Sequence, residues 1–477
     1  MVFSYNTSVR NGFMLWIYKG DWQFNPLPIM LKYVRRKVAI LTVFIILCFV
    51  WMQVSHKSSC DGDCKKLSII QNALFPFSYN ITQKVIETHT GKVLTRKHTR
   101  LVTAVDCKHI IEGQKEEIAN AKIWMTKHPK NSIPDAEYLN LTSDCNAYKR
   151  ERGFLDFIVT EEEEKYPIAY SILVYQEVEQ LERLLWAIYR PQNIYCIHVD
   201  LSSPKAVHNA VNAITGCFDN VFVVSKKETV IYEGFSRLQA DINCMADLFQ
   251  KNRKWKYFIN LPSQQYPIKT NQEIVKILQI YNGANDIEGM TGNRMLPNRF
   301  KYVHKYVPQD RGKAKIYRTN VTKSVPPHNI TIVKGSAYGI FSRNFVRFVI
   351  YDEKARDLLE WCKEVLSPDE YYWAMLNHNP HLGAPGSYKG PPDKKRWLAV
   401  FAKWGERCQG KYVRGVCVFG VGDLHELVAR EELFVNKFHL TYQPLALDCL
   451  EEWLYNRTFN SEIVDLDFYR NLPFILR

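Results

Sequence analysis

Apolar positions along the chain become regular only from residue 166 onward. Residues 168–175 form a continuous apolar run, as expected for a strand that is buried on both faces. Residues 177–189 then place their apolar side chains at helical spacing along one face. The same alternation predicts a strand over 194–199, a helix over 204–214, a strand over 221–224, a helix over 235–249, a strand over 257–260 and a helix over 271–280. This β-α-β-α order favours a mostly parallel, Rossmann-like sheet of the α/β class.

The first 156 residues follow a different pattern. Residues 38–54 are 17 consecutive uncharged and mostly apolar residues, which is the short limit for a membrane-spanning helix. Basic residues at 32, 35, 36 and 37 precede the run, so the positive-inside rule predicts a cytosolic tail over 1–37 and a lumenal remainder. A cleaved signal peptide is the alternative, but no small-x-small cleavage site follows the run. Met30 could serve as a second start that keeps the whole anchor.

Residues 55–156 are polar and irregular, which predicts a stem and an N-terminal extension ahead of a catalytic domain over 157–477. Twelve cysteines in such a chain indicate an oxidising compartment. Without Cys48, which lies in the apolar run, eleven remain, so at least one thiol is free or paired between chains. Five Asn-x-Ser/Thr acceptors fit a glycosylated lumenal protein: Asn80, Asn140, Asn320, Asn329 and Asn456.

Candidate chemistry is concentrated late in the chain. Ser367-Pro-Asp-Glu370 sets two carboxylates at the start of a predicted helix, and Arg414 and Lys437 follow downstream. A glutamate that accepts a proton, together with cations that hold a phosphate, suggests group transfer from a phosphate-bearing donor. An ordinary helix start explains the same acidic residues equally well. Tyr175 and Asp200 end predicted strands, where ligands of such sheets bind, although a strand-ending Asp is also a common turn former.

Between Cys107 and Cys449 the chain resembles the core 2/I-branching β-1,6-N-acetylglucosaminyltransferases, which are Golgi type II membrane enzymes. Each matching segment is short, but their ordered occurrence is specific. The segments are Pro191-Gln-Asn-Ile-Tyr-Cys-Ile-His-Val-Asp200, Cys217-Phe-Asp-Asn-Val-Phe222, Ser236-Arg-Leu-Gln-Ala-Asp-Ile-Asn-Cys244, Pro267-Ile-Lys-Thr-Asn271, Gly335-Ser-Ala-Tyr338, Ser367-Pro-Asp-Glu370, Val416-Cys-Val-Phe-Gly420 and Asn436-Lys-Phe438.

The resemblance implies a GT-A-like nucleotide-sugar fold and an inverting transfer that needs no divalent metal. Glu370 falls at the catalytic base, which would deprotonate the 6-hydroxyl of the acceptor. Arg414 and Lys437 fall at the cations that bind the diphosphate of UDP-N-acetylglucosamine, where a metal would otherwise serve. The Asp-x-Asp sequence of manganese-dependent GT-A enzymes occurs only at Asp61-Gly-Asp63 and Asp465-Leu-Asp467, far from the nucleotide-binding strands.

Further roles follow from the same resemblance. Leu173, Tyr175, Asp200 and Tyr232 match donor-binding positions. Glu288, Arg299 and Trp404 match residues that bind the acceptor, where an indole stacks on a sugar face; a core tryptophan is the alternative for Trp404. The disulfide pairs carried over are Cys107–Cys449, Cys145–Cys217, Cys196–Cys244 and Cys408–Cys417, which leaves Cys60, Cys64 and Cys362.

Several positions depart from the family pattern. Pro262 and Gln265 stand where the family has a thiol and a carboxylate beside the donor site. Tyr175 replaces a histidine that commonly ends the first strand, and Leu296 replaces a lysine three residues before Arg299. Glu406 replaces a tyrosine present in some members. These changes alter the predicted acceptor and nucleotide pockets, whereas Glu370, Arg414 and Lys437 match the family pattern.

The expected partners are therefore UDP-N-acetylglucosamine and O-glycan acceptors, most simply Galβ1-3GalNAc. I-branching of polylactosamine, transfer to another β-galactoside, and an inactive glycan-binding homologue remain alternatives, and homodimer formation stays open. The net charge of +14 could suggest nucleic-acid binding, but the lumenal topology and the lack of a nucleic-acid motif argue against it. A basic lumenal surface would equally attract sialylated or sulfated acceptors.

Overall fold

A computed structural model describes residues 84–87, 93–96 and 101–475, with gaps at 252–253, 309–313, 406 and 460–464. The predicted anchor at 38–54, Asn80, Cys60, Cys64 and Glu406 lie outside the described residues. In the described part of the chain, no helix has the length and apolar character needed to cross a bilayer.

The strands are β1 (Lys84–Glu87), β2 (Val93–Arg96), β3 (Ile168–Val174), β4 (Ile194–Val199), β5 (Val221–Val223), β6 (Tyr257–Pro262), β7 (Gln265–Pro267), β8 (Tyr302–Pro308), β9 (Ala314–Thr322), β10 (Ile340–Ser342), β11 (Val400–Ala402), β12 (Lys411–Val413), β13 (Val416–Val418) and β14 (Phe434–Asn436). The α-helices are α1 (Cys107–Ile111), α2 (Lys115–Lys127), α3 (Tyr138–Leu141), α4 (Cys145–Arg152), α5 (Glu161–Lys165), α6 (Val178–Ile188), α7 (Lys205–Thr215), α8 (Phe235–Gln250), α9 (Asn271–Tyr281), α10 (Arg343–Tyr351), α11 (Glu353–Cys362), α12 (Asp369–Asn377), α13 (Leu424–Val428), α14 (Pro444–Phe459) and α15 (Asp467–Arg470).

The central sheet has the strand order β10-β6-β3-β4-β5. Strands β6, β3, β4 and β5 run parallel, and β10 joins β6 antiparallel. Every residue of β3 and β4 is buried, because helices cover both faces of a parallel sheet. The predicted α/β class and mostly parallel sheet are confirmed, and each predicted element between 168 and 281 is present with small differences at its ends.

Smaller sheets bring the C-terminal part of the chain beside the central one. The three-stranded sheet β11-β14-β7 pairs β14 parallel to β11 and antiparallel to β7. Strands β12 and β13 form a hairpin, and β8 and β9 form a separate antiparallel ribbon. The residues that follow β14 are thereby fixed close to the end of β6, which continues into β7 after two residues.

The region before the central sheet is more regular than its sequence indicates. Helices α1 to α5 occupy much of 107–165, although the pattern predicted an irregular extension as far as 156. The reason is visible in α2, where Ala121 is the only fully buried residue and Ile118, Trp124 and Met125 pack against the core while still partly exposed, so the apolar face of the helix is weak. Tyr138 and Tyr148 nevertheless belong to the same hydrophobic core as β3 and α6.

A buried carboxylate joins these N-terminal helices to α6. Glu182 has no exposed side-chain surface, and it accepts hydrogen bonds from the hydroxyls of Tyr138 (2.8 Å) and Tyr148 (3.1 Å). Arg152 pairs with both of its oxygens through Nε and Nη2. A buried charge is tolerated only when it is paired and hydrogen-bonded, so these three residues are what allows Glu182 to remain in the core.

The structure contains three of the four predicted disulfides, namely Cys107–Cys449, Cys145–Cys217 and Cys408–Cys417. The fourth prediction differs: Cys196 and Cys244 are buried free thiols. Their sulfur atoms lie 2.7 Å apart, in contact but beyond the roughly 2.05 Å of a covalent bond. Cys362 is free, as predicted. It is also fully buried, and burial raises the pKa of its thiol.

Candidate active site

Three predicted donor-binding residues lie at the carboxyl edge of the central sheet. Leu173 pairs with Pro262 at the end of β6, and its carbonyl accepts a hydrogen bond from Ser263 (2.9 Å). Tyr175 follows β3 with half of its surface exposed. The Oδ1 atom of Asp200 accepts bonds from the backbone and the hydroxyl of Ser202, both at 2.8 Å. Asp200 therefore forms a turn, and its donor role remains a prediction.

The loop ahead of α8 connects this edge to the other candidate residues. Its Glu228 carbonyl accepts a hydrogen bond from the backbone of Leu201, just beyond β4. Glu233 has a left-handed conformation (φ 60°), which is uncommon for a residue with a side chain. The Glu233 carbonyl accepts a bond from the Ser367 amide (2.7 Å), at the start of the Ser367-Pro-Asp-Glu370 segment. The loop thus spans from the carboxyl edge of the central sheet to the segment that carries Glu370.

Arg414 stands at the tip of the β12–β13 hairpin. Val413 pairs with Val416, so Arg414 and Gly415 form a two-residue turn in which both φ angles are positive (53° and 77°). This is the type I′ geometry, which normally selects Asn, Asp or Gly at its first position. An arginine in a conformation that costs free energy is a reason to suspect function. Its guanidinium lies 4.8 Å from the ring centre of Tyr232.

Lys437 is the second cation of this region and follows β14 directly. Its pKa is lowered, first by partial burial and then by the positive charge of Arg414. Among the described residues, neither cation forms an ion pair with a carboxylate. Burial and the charges of Lys437 and Lys411 also lower the pKa of His439 to about 4, so this ring is neutral near pH 7. Two adjacent cations that lack counter-charges form a site suited to a diphosphate.

Glu370 lies in the first turn of α12, where the helix N-terminus favours negative charge. Two cations approach the same oxygen of its carboxylate: Nη1 of Arg299 lies 2.6 Å from Oε2, and Nζ of Lys334 lies 2.9 Å from it. Within the described part of the chain, Oε1 has no hydrogen-bond partner. The side chain is 27% exposed, so one oxygen is held while the other is open to a ligand.

The neighbouring carboxylate has a different environment. Asp369 is buried, and burial raises its pKa to about 6, against the opposing charge of Arg237. Arg237 itself pairs with the fully buried Asp241 at 2.6 Å. The two acidic residues of the motif are therefore not equivalent: Asp369 belongs to an internal charge cluster, whereas the Glu370 side chain is partly exposed at the surface.

Glu288 and the backbone of Lys334 and Gly335 form another wall of the site. Lys334 pairs with Met290 in an isolated antiparallel bridge, and the Gly335 amide donates to the Glu370 carbonyl (2.6 Å). A side chain at Gly335 would place its Cβ 2.3 Å from the Glu288 carbonyl oxygen, so this close approach requires glycine. Burial raises the pKa of Glu288, and the charge of Lys334 opposes that rise.

Of the predicted acceptor residues, Arg299 contacts Glu370 directly, whereas Trp404 lies beside the hairpin that carries Arg414. Arg299 links Glu370 to the loop, since its Nη2 also lies 3.7 Å from Oε1 of Glu233. Trp404 is 64% exposed and pairs with Val416 in an isolated bridge beside the Arg414 hairpin. The core alternative for this tryptophan is therefore wrong, and its indole face is available to a ligand.

The structure shows where three residues that depart from the family pattern lie. Pro262 ends β6 next to Leu173. Gln265 is 1% exposed and pairs with Asn436, and its amide has no hydrogen-bond partner in the described part of the chain. Leu296 is an exposed residue with φ 53°. Asp465 and Asp467, the described Asp-x-Asp, lie at α15, where Asp467 pairs with Arg470.

Four residues of this site were missed by the sequence analysis: Glu233, Arg237, Lys334 and Asp369. Asp369 was read only as half of a helix start, and Arg237 lay unremarked within a matching segment. Lys334 is adjacent to the Gly335-Ser-Ala-Tyr338 segment, which was the one available signal for it. Nothing in the sequence distinguishes Glu233, because its role depends on backbone geometry and on partners more than sixty residues away.

The predicted glycosylation sites in the described residues are accessible to different degrees. Asn140, Asn320 and Asn329 are exposed, and Asn456 is partly buried within α14. Asn320 lies on β9 of the separate ribbon. Modification of these residues stays a prediction.

Comparison with known proteins identifies a consistent set of relatives. The family profile described as "Core-2/I-Branching enzyme" matches residues 168–428. A Bos taurus protein named beta-1,3-galactosyl-O-glycosyl-glycoprotein beta-1,6-N-acetylglucosaminyltransferase 3 is 36% identical over 434 residues, which cover 87% of this chain and 94% of the relative. The human protein of that name is 35% identical over 442 residues, covering 89% and 97%. Another human beta-1,3-galactosyl-O-glycosyl-glycoprotein beta-1,6-N-acetylglucosaminyltransferase is 38% identical over 376 residues, covering 75% and 86%.

Proposed function

Because this chain belongs to the core-2/I-branching enzyme family, we propose that it is an inverting β-1,6-N-acetylglucosaminyltransferase. It moves N-acetylglucosamine from UDP-N-acetylglucosamine to the 6-hydroxyl of an O-glycan sugar, with Galβ1-3GalNAc as the preferred acceptor. The names of the relatives support this acceptor class. The proposal is carried by the presence of two features in one protein. Glu370 has one carboxylate oxygen without a partner among the described residues, and Arg414 and Lys437 are two neighbouring cations without carboxylate partners there.

In this reaction Glu370 acts as the general base. Oε1 accepts the proton of the acceptor 6-hydroxyl, while Arg299 and Lys334 hold Oε2. The acceptor O6 atom, as it loses its proton, attacks the anomeric carbon of the donor sugar from the face opposite the leaving group. A new C1–O6 bond forms, the C1–phosphate oxygen bond breaks, and UDP leaves with the electron pair. The anomeric configuration inverts in a single displacement.

Charge accumulates on the diphosphate as it leaves, and Arg414 and Lys437 stabilise it. The guanidinium of Arg414 offers a planar set of donors, and Lys437 supplies a compact charge. Burial and the charge of Arg414 lower the pKa of Lys437 in the free protein, and a bound diphosphate offsets the second of these effects. The ring of Tyr232 packs against the Arg414 guanidinium. Leu173, Tyr175 and Asp200 line the nucleotide at the carboxyl edge of the sheet.

The acceptor binds on the other side of Glu370. Glu288 and Arg299 hydrogen-bond its hydroxyls, and the exposed indole of Trp404 stacks on a sugar face. The enzyme is anchored in the Golgi membrane by residues 38–54, with the catalytic part in the lumen, where cysteines can be oxidised. The three disulfides support such an oxidising compartment.

Linkage analysis of reaction products is the direct test. Full-length protein, purified in detergent, is incubated with UDP-N-acetylglucosamine and a panel of mucin-core and lactosamine acceptors. Galβ1-3GalNAc should gain a β-1,6-linked N-acetylglucosamine on its GalNAc. A branched polylactosamine product would instead indicate I-branching. Absence of transfer to every acceptor, with UDP binding retained, would favour an inactive glycan-binding homologue that lost activity through the changes at Pro262 and Gln265.

We expect this transfer to proceed unchanged in EDTA. Arg414 and Lys437 supply the positive charge that a divalent ion supplies in other GT-A enzymes, so the leaving group needs no metal. Initial rates are measured with EDTA and with added manganese, after the protein has been freed of metal by dialysis. Loss of activity in EDTA that manganese restores would contradict the metal-free reaction.

A further inference from the structure

We propose that Lys334 is a positioning residue for Glu370, and that it sets which oxygen of the carboxylate acts as the base. This inference rests on the proposed transferase function. No motif assigns Lys334 a role, yet its Nζ lies 2.9 Å from Oε2 of Glu370. Its side chain is only 13% exposed, so the ion pair is shielded from solvent more than a surface pair would be.

The two cations that contact Glu370 belong to separate segments of the chain. Arg299 is the last residue of a short 3-10 turn (Pro297–Arg299) before β8, and Lys334 lies shortly before β10. Both approach Oε2, and they leave Oε1 unoccupied within the described part of the chain. A carboxylate held by one cation can rotate to present either oxygen. Two cations on the same oxygen fix the orientation, so that Oε1 faces the acceptor hydroxyl.

The backbone around Lys334 is fixed independently of this ion pair. Lys334 exchanges two hydrogen bonds with Met290 (2.6 Å and 3.1 Å), in the segment that carries Glu288. The next amide, of Gly335, donates to the Glu370 carbonyl at 2.6 Å. Lys334 thus lies where the acceptor-binding segment and the base-bearing helix meet, and its Cα cannot move without moving one of them.

Lys334 also acts on a second carboxylate. Glu288 lies in the same wall, where burial is the largest influence on its pKa and raises it. Lys334, Arg294 and Lys395 lower that pKa, and Glu370 raises it. Removing Lys334 should therefore let Glu288 take a proton at higher pH. Because a protonated Glu288 no longer accepts two hydrogen bonds as a carboxylate, acceptor binding should weaken earlier on acidification.

The test compares full-length K334M, K334R and wild-type protein, with K323M as a matched control. Lys323 is also a lysine with a shielded side chain that forms an ion pair of the same length, here with the half-exposed Glu364 (2.9 Å), and its described contacts include no candidate active-site residue. We expect K334M to lower kcat on the order of 10²-fold, as misplacement of a reacting group does, with UDP affinity unchanged. K334R should recover much of that loss, and K323M should match wild type. The acceptor KM of K334M should also begin to rise at a higher pH than in wild type.

A kcat of K334M within twofold of wild type would overturn the role of Lys334. An equal loss of kcat in K334M and K334R, with UDP affinity unchanged, would overturn it as well. If K334M fails to fold, K334R decides alone: it keeps the charge, so a fully inactive but folded K334R contradicts a role that depends on charge. An inactive wild-type protein would contradict the proposed transferase function instead. The two failures are therefore distinguishable.

Discussion

Replacing Glu370 with glutamine is expected to abolish detectable transfer while UDP binding stays nearly intact. The amide has the shape of the carboxylate, but it cannot take the proton of the acceptor hydroxyl. Removing a general base typically lowers the rate by about 10²–10⁴-fold. Initial rates at saturating donor and acceptor, measured beside UDP affinity by calorimetry, separate the chemical step from binding.

Two further variants make the result specific to this carboxylate. Glu360→Gln changes an exposed glutamate of α11 and should leave the rate unchanged. Asp369→Asn removes the adjacent acid, which is buried beside Arg237 and should affect stability more than chemistry. Near-normal turnover in Glu370→Gln would mean that the base lies elsewhere. Complete inactivity of a stable Asp369→Asn together with an active Glu370→Gln would transfer the role to Asp369.

The second large effect is expected from Arg414→Ala, which should weaken UDP binding as well as turnover. A hydrogen bond to a charged group contributes about 1.5–3 kcal/mol, which corresponds to roughly 10- to 100-fold in affinity. Because Arg414 contacts the donor before and during the reaction, both the dissociation constant of UDP and kcat should change. Calorimetry with UDP and initial rates at increasing donor concentration measure the two quantities.

The matched control for this variant is Lys411→Ala, a cation on the same hairpin that lies over the ring of Tyr442 and not over Tyr232. Its substitution should cost less in UDP affinity than loss of Arg414. Equal losses in the two variants would indicate a general electrostatic attraction and not a diphosphate contact. An Arg414→Gly variant separates charge from backbone strain, because glycine adopts the left-handed turn without cost.

The parts of the fold that could be predicted are those that local pattern determines. Strands β3 and β4 are buried on both faces, so their apolar runs are unbroken and their positions were clear. Helix α2 was missed, because it contributes only Ala121 to the buried interior. Cys196 and Cys244 were paired by analogy, and their positions in contact are right, although the structure has them as thiols.

The site divides in the same way. Glu370, Arg414 and Lys437 could be predicted as site residues because short motifs surround them, and the structure brings the predicted residues Arg299 and Glu370 into direct contact. Lys334 and Glu233 were missed, because their importance arises from residues distant in the sequence. A lysine 36 positions before its partner has no pattern that periodicity or spacing could reveal. Such residues appear only when the chain is folded.

The Glu182 cluster has a consequence for the smallest part of this chain that can fold by itself. A fragment beginning at residue 157, where the sequence suggests a boundary, would keep Glu182 but lose the hydroxyls and the guanidinium that satisfy it. An uncompensated buried charge costs about 3–5 kcal/mol, a large fraction of the 5–15 kcal/mol that typically separates folded from unfolded protein. The same cut would leave Cys217 and Cys449 without partners. The autonomous folding unit therefore begins before Cys107, well ahead of the segment that carries the chemistry.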